Sequence, residues 1–247
     1  MGRPGKGAHD TTGPPPPAED RKAMKVSEAL GTRMSCRAFL PEPVPEATLR
    51  QILETASRAP SGGNLQPWYV DVLTGAPLAA LMDRVRAQVP EHPLGHPPEY
   101  PVYPSPLGEP YRTRRHENGE DLYATIGIPR SDRPARLRQY ARNYAAFGAP
   151  VLLFICIDRY MGSAQWADMG MFMQSIMLLA REHGLHTCPQ ESWSGWYREV
   201  GEAISLPAGR MLFAGIAVGY RDESAAINRL RTSRAPPTEF ATFRGFA

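Results

Sequence analysis

A chain of 247 residues with 42% hydrophobic content is long enough to bury a substantial core, and its net charge of +3 marks no strong electrostatic partner. Only three of the 28 basic residues are lysines (Lys6, Lys22, Lys25), a skew better explained by codon composition than by function, and no long basic run interleaves with aromatics, which argues against nucleic-acid binding. Cys36, Cys156 and Cys188 form an odd set without a CxxC pair, no signal-peptide core opens the chain, and no apolar stretch approaches a membrane span, so a soluble cytoplasmic protein without membrane contact is expected.

Residues 1–23 hold nine Gly or Pro residues, including Pro14 to Pro17, and bury too little apolar surface to offset their ordering entropy. A flexible tail is the expectation, with a polyproline ligand for a partner domain as the alternative. The rest, 24–247, is expected to form one domain. Met24 to Thr32 reads as a first helix. Arg33, Ser35 and Arg37 then alternate, so in an extended strand their donors share one face. The guanidinium fork suits phosphate oxygens.

A helix is predicted over Pro45 to Arg58, with Leu49, Ile52, Leu53 and Ala56 as its buried stripe. Pro60, Ser61, Gly62, Gly63, Asn64 and Gln66 fall in the turn that follows. Adjacent glycines permit close approaches that a Cβ would block, so a flat ring can lie there with Asn64 and Gln66 offering donors and acceptors. An ordinary helix-to-strand turn is the bland alternative.

Trp68 to Thr74 reads as a strand and Pro77 to Gln88 as a helix. The pattern is then lost: residues 90–129 contain nine prolines, four tyrosines and the cluster Arg112, Arg114 and Arg115. A loop of this length in a compact domain is functional or disordered. A partly ordered lid over about 90–130 and a surface excursion without a role are both open.

Arg133 to Phe147 is a helix candidate. Val151 to Asp158 is a nearly continuous apolar run, the pattern of a strand buried on both faces. In the helix Ser163 to His183, ten of the fourteen residues from Trp166 to Leu179 are apolar, too many for one stripe, so cover is expected on all sides. Gly184 supplies a stop. Thr187 to Trp193 reads as a loop, Met211 to Tyr220 as a strand, and Ser224 to Ala247 as a short helix with an irregular tail rich in Arg, Pro and Phe.

Three segments together, Arg33 to Phe39, Pro60 to Trp68 and a late basic stretch ending at Arg234, resemble the FMN-dependent nitroreductase family from about Met24 to Phe246. The middle motif, Pro-Ser-x-x-Asn-x-Gln-Pro-Trp, is the most specific. This chain has Met34 where many members carry a second arginine. The resemblance implies an α+β fold with a central, mostly antiparallel sheet between helices, and an intertwined homodimer with the flavin between subunits. It implies that Arg33, Ser35, Arg37 and Arg234 anchor the FMN phosphate. Pro60, Ser61, Gly62, Gly63, Asn64 and Gln66 would lie along the ring, with Asn143 a further hydrogen-bonding candidate. Pro189, Gln190, Glu191 and Ser192 would face its reactive side, with the Glu191–Ser192 backbone near the nitrogen that exchanges hydride; preorganised dipoles act strongly there.

No side chain is assigned a covalent catalytic role, because the cofactor carries the chemistry. Cys188 reads as a packed bystander. His183 and His186, three apart, do not make a metal site, and neither do His92, His96 and His116. The expected activity is ping-pong reduction of nitroaromatic or quinone-like acceptors by NADPH or NADH through FMN. The alternatives are a reductive dehalogenase on the same scaffold and a flavin-binding protein without turnover.

Overall fold

The strand Val151–Asp158 explains how this computed structural model, which describes residues 24–246, is layered. Seven of its eight residues are buried. Leu152, Phe154 and Cys156 enter one core cluster, and Val151, Leu153, Ile155 and Ile157 enter the other. That is the twofold alternation of a strand covered on both faces.

In chain order the elements are α1 (Val26–Thr32), α2 (Glu46–Ala56), β1 (Tyr69–Thr74), α3 (Gly75–Gln88), α4 (Tyr111–Ala124), α5 (Arg133–Ala141), β2 (Val151–Asp158), α6 (Ser163–Glu182), β3 (His186–Gln190), α7 (Tyr197–Ala203), β4 (Arg210–Gly219) and α8 (Pro237–Phe240). The sheet runs β1-β2-β4-β3, and all three pairings are antiparallel. Helices α2 and α6 cover one face through Leu49, Ile52, Ala56, Met169, Phe172 and Ile176. On the other, Leu78, Leu81 and Val85 of α3 and Val200 of α7 pack with Trp193 and Trp196.

The expected tail at 1–23 lies outside the described residues. Several expectations need correction. Pro45 stands before the helix as its extended cap rather than in its first turn. Thr187 to Trp193 is not all loop: His186–Gln190 pairs with β4 at the sheet edge, where Pro189's missing N–H is tolerated. The helix expected through Phe147 ends at Ala141; a 3₁₀ stretch follows in which Ala146 and Phe147 have φ of 44° and 55°. Tertiary contact fixes this, since the Phe39 N–H donates to the Phe147 carbonyl at 3.2 Å.

The proline-rich segment is ordered and contains α4. No residue of α4 is buried, so no apolar period announces it. Ion pairs hold it instead: Arg112–Glu109 and Arg114–Glu239, both 2.6 Å, and Glu120–Arg136 at 2.7 Å. Upstream, the His96 N–H donates to the Gly195 carbonyl at 2.8 Å, and the Tyr100 hydroxyl donates to the Phe213 carbonyl. Phe213 is free to accept because a bulge at Ile155/Cys156 leaves it out of the ladder.

Among the described residues, helix α6 is covered on one side only. Its residues Ala167, Gly170 and Met171 are exposed.

Candidate functional site

After α1 ends, Arg33 to Ala38 runs extended beside β3. Ser35 bridges Thr187 in parallel, and the Cys36 N–H donates to the Thr187 carbonyl at 2.9 Å. Strand alternation buries Met34, Cys36 and Ala38 and leaves Arg33, Ser35 and Arg37 half-buried on the other face. Those three residues, with Arg231, Thr232 and Arg234 from the C-terminal segment, line a cavity of about 320 Å³. The predicted quartet Arg33, Ser35, Arg37 and Arg234 is therefore brought together from sequence positions about 200 apart.

Cations crowd here. Burial and then the charge of Arg234 lower the pKa of Arg33, a repulsion that an anion between the guanidiniums would relieve. Met34, standing where an arginine is common, gives its sulfur to Arg221 instead. Asn228 was not foreseen. Buried on the 3₁₀ turn Ala226–Arg229, it accepts from the Arg37 N–H at 2.8 Å and donates to the Ala38 carbonyl at 2.8 Å, fixing the arginine strand from below.

Arg37 also lines a second cavity, of about 460 Å³. Asn143, Pro189, Gln190, Glu191 and Ser192 form one wall, and Leu94, Val102, Tyr103, Arg115, Tyr123 and Tyr140 form much of the rest. The proline-rich segment and α4 thus wall the space rather than leave the protein surface. Gln190 is buried and spends its amide internally: its Nε2 donates to the Asn143 carbonyl at 2.8 Å, and its Oε1 accepts from Trp193 Nε1 at 3.3 Å. Asn143 in turn donates to the Tyr140 carbonyl at 2.8 Å. These bonds lock the wall. By contrast, the Ser192 hydroxyl oxygen is buried without a hydrogen-bond partner among the described residues, and an unsatisfied buried hydroxyl is a group that a ligand would complete. Glu191 is exposed to the cavity, yet enough protein surrounds its carboxyl that desolvation raises its pKa.

The turn holding Pro60, Ser61, Gly62, Gly63, Asn64 and Gln66 lines neither cavity. It leads into β1, the edge opposite β3, three strand spacings or about 14 Å away. Residues Gly62 to Gln66 are exposed. Gly63, Asn64 and Gln66 have φ of 57°, 59° and 49°, and Ser61 Oγ closes the turn by accepting from the Gln66 N–H at 3.0 Å. A single chain therefore does not assemble all three sequence motifs.

Cys188 is buried, and burial pushes its thiol up to about 12, which leaves it unreactive at neutral pH. His186 is buried in β3 near Arg181, Arg221 and Arg231, and its pKa is pushed down to about 3.

The model of the nitroreductase family matches residues 30–220. A nitrobenzene nitroreductase of Ectopseudomonas oleovorans is 37% identical over 218 residues, covering 88% of this chain and 96% of that one. A 4-nitrobenzoate reductase of Pseudomonas putida is 36% identical over 220 residues, covering 88% and 94%. Among solved structures, the FMN and NADPH-dependent nitroreductase NfnB from Sphigopyxis sp. strain HMH superimposes with a TM-score of 0.87 at 47% identity, covering 90% of this chain and 100% of the other.

Proposed function

The chain belongs to the nitroreductase family, and from that premise we propose that it is an FMN-dependent NAD(P)H oxidoreductase that reduces nitroaromatic compounds. The observation that carries the reading is that Arg37 lines both cavities. A phosphate among Arg33, Ser35 and Arg234 and a ring against Pro189 to Ser192 can then belong to one molecule.

The residues present fit FMN. Its phosphate would relieve the repulsion between Arg33 and Arg234, and the Ser192 hydroxyl, unpartnered among the described residues, would offer a hydrogen bond to a polar ring edge. When bound, FMN supplies the redox chemistry, taking hydride from NAD(P)H and passing it to the acceptor. The protein's part is placement. Arg33, Arg37 and Arg234 hold the phosphate, Asn228 sets the strand that carries two of them, and the Gln190–Asn143–Trp193 bonds keep the Glu191–Ser192 backbone fixed against the ring. Tyr103, Tyr123 and Tyr140 supply faces on which nicotinamide and acceptor stack in turn.

We also propose that two copies pair, with the Ser61–Gln66 turn of one chain completing the ring site of the other. The opposite-edge placement of turn and arginines supports this, as do the open face of α6 and three Phe side chains of the tail, Phe240, Phe243 and Phe246, each at least 72% exposed. Among the described residues no helix is long and apolar enough to cross a membrane. Three buried, unpaired cysteines fit a reducing compartment, and we place the enzyme in the cytoplasm.

The test is the visible spectrum of the purified protein, then anaerobic NADPH and a nitroarene. A yellow protein that bleaches with NADPH and regains colour with nitroarene is expected. A preparation still colourless after incubation with excess FMN would overturn the reading, and flavin that stays oxidised would leave a binding protein only. Relatives named for neutral nitrobenzene and for acidic 4-nitrobenzoate are equally similar, so likeness does not choose between those acceptors.

A further inference from the structure

Resting on the proposed function, we infer that Arg115 recognises a carboxylate on the acceptor, so that nitroaromatic acids are preferred to neutral nitroarenes. Helix α4 carries three arginines in four positions. Arg112 pairs with Glu109 and Arg114 pairs with Glu239. Arg115 has no carboxylate within ion-pairing distance among the described residues, and it is the one of the three that lines the ring cavity.

What holds Arg115 is an aromatic face. Its guanidinium carbon lies 4.2 Å from the centre of the Tyr103 ring. Contact with a π face orients a guanidinium without neutralising it, and the planar group keeps in-plane N–H donors for a bidentate carboxylate. Tyr103 thus does for Arg115 what Glu109 does for Arg112, while leaving the charge available.

The other ionisable groups around the space agree. Arg37 is shared with the phosphate cavity and already donates to the Ser35 carbonyl at 3.2 Å. His96 lies against Gln88 and Glu199. Glu191 is the carboxylate of this lining, and burial raises its pKa. Arg115 is therefore the uncommitted cation of the aromatic wall. The phosphates of NADPH share this chemistry, and the test separates the two sources.

The FMN-loaded, full-length protein is compared with Arg115→Leu and Arg115→Lys. Three quantities are read: kcat/KM for 4-nitrobenzoate and for nitrobenzene, the calorimetric Kd for benzoate, and the rate of flavin reduction by NADPH and by NADH without acceptor. In a ping-pong scheme the acceptor's kcat/KM does not contain the NADPH step. In Arg115→Leu the 4-nitrobenzoate to nitrobenzene ratio should fall roughly 3- to 10-fold, the upper span of one charge-assisted contact made by an exposed guanidinium. Benzoate should weaken in parallel, and Arg115→Lys should recover part of both. An unchanged ratio with unchanged benzoate affinity overturns the inference. So does a loss confined to flavin reduction by NADPH, which would assign Arg115 to the dinucleotide. If the wild type reduces neither acceptor, the proposed function fails, and benzoate binding still decides whether Arg115 holds a carboxylate.

Discussion

The backbone N–H of Gly62 donates to both carboxylate oxygens of Asp168, at 3.2 and 3.3 Å. Asp168 is buried on α6, so the turn proposed to meet the flavin is tied to the core and not only to its own strand. Asp168→Asn keeps the shape and removes the charge. The asparagine oxygen still accepts, so the loss is the difference between a charged and a neutral acceptor, about 1–2 kcal/mol, and in a domain of this size each kcal/mol shifts Tm by roughly 2–4 °C. The variant should melt several degrees lower and release FMN more readily on dilution; equal Tm and equal flavin retention would show that the carboxylate is idle.

Gly215 sits in β4 where a Cβ would lie 2.6 Å from Trp193 Cδ1. Trp193 is fully buried, and its indole N–H bonds Gln190, so no flexible end can yield. Gly215→Ala should cost about 1–3 kcal/mol in a denaturant melt and weaken flavin binding by shifting the wall that holds Ser192. Gly209→Ala, where a Cβ meets nothing within 4 Å, is the control. Matching melts of the two variants would remove the explanation.

His186 makes a pH prediction. Its folded pKa is about 3, depressed first by burial and then by Arg181, Arg221 and Arg231. The unfolded chain binds this proton near pH 6.5. Between pH 6.5 and 3 the unfolded state therefore holds a proton that the native state refuses, so stability present above 6.5 falls as pH is lowered. The slope is about 1.4 kcal/mol per pH unit. His186→Asn should lose that part of the slope between pH 6 and 4, and parallel curves for the two proteins would contradict the assignment.

Local pattern made some of this molecule legible and left the rest hidden. Val151–Asp158 has the bounds its apolar run predicts, and Arg33, Ser35 and Arg37 share a face because strand alternation is a local rule. Helix α4 was invisible: its stabilising partner Glu239 is 125 positions from Arg114, and charge pairing at that separation leaves no periodic trace. Ala146 and Phe147 adopt left-handed conformations that neither residue type favours, so the end of the helix at Ala141 had no local signal. Asn228 and Arg115 reach the site only through tertiary folding. Arg115 was visible only as one of a basic cluster, and Asn228 only as a neighbour of the late basic stretch, with nothing local to mark either side chain as part of the site.

In the paired arrangement proposed here, β1 and β3 on opposite sheet edges mean that each catalytic unit draws its guanidiniums from one polypeptide and its amide turn from the other. Consider a heterodimer of one copy bearing Arg37→Ala and one bearing Asn64→Ala. One of its two units carries both lesions and the other carries none. Two individually crippled proteins, unfolded together and refolded as a mixture, should regain up to a quarter of wild-type turnover per chain, because half the pairs are mixed and half of each mixed pair is intact. Activity no higher than that of the separate variants would mean that every unit is built from a single polypeptide.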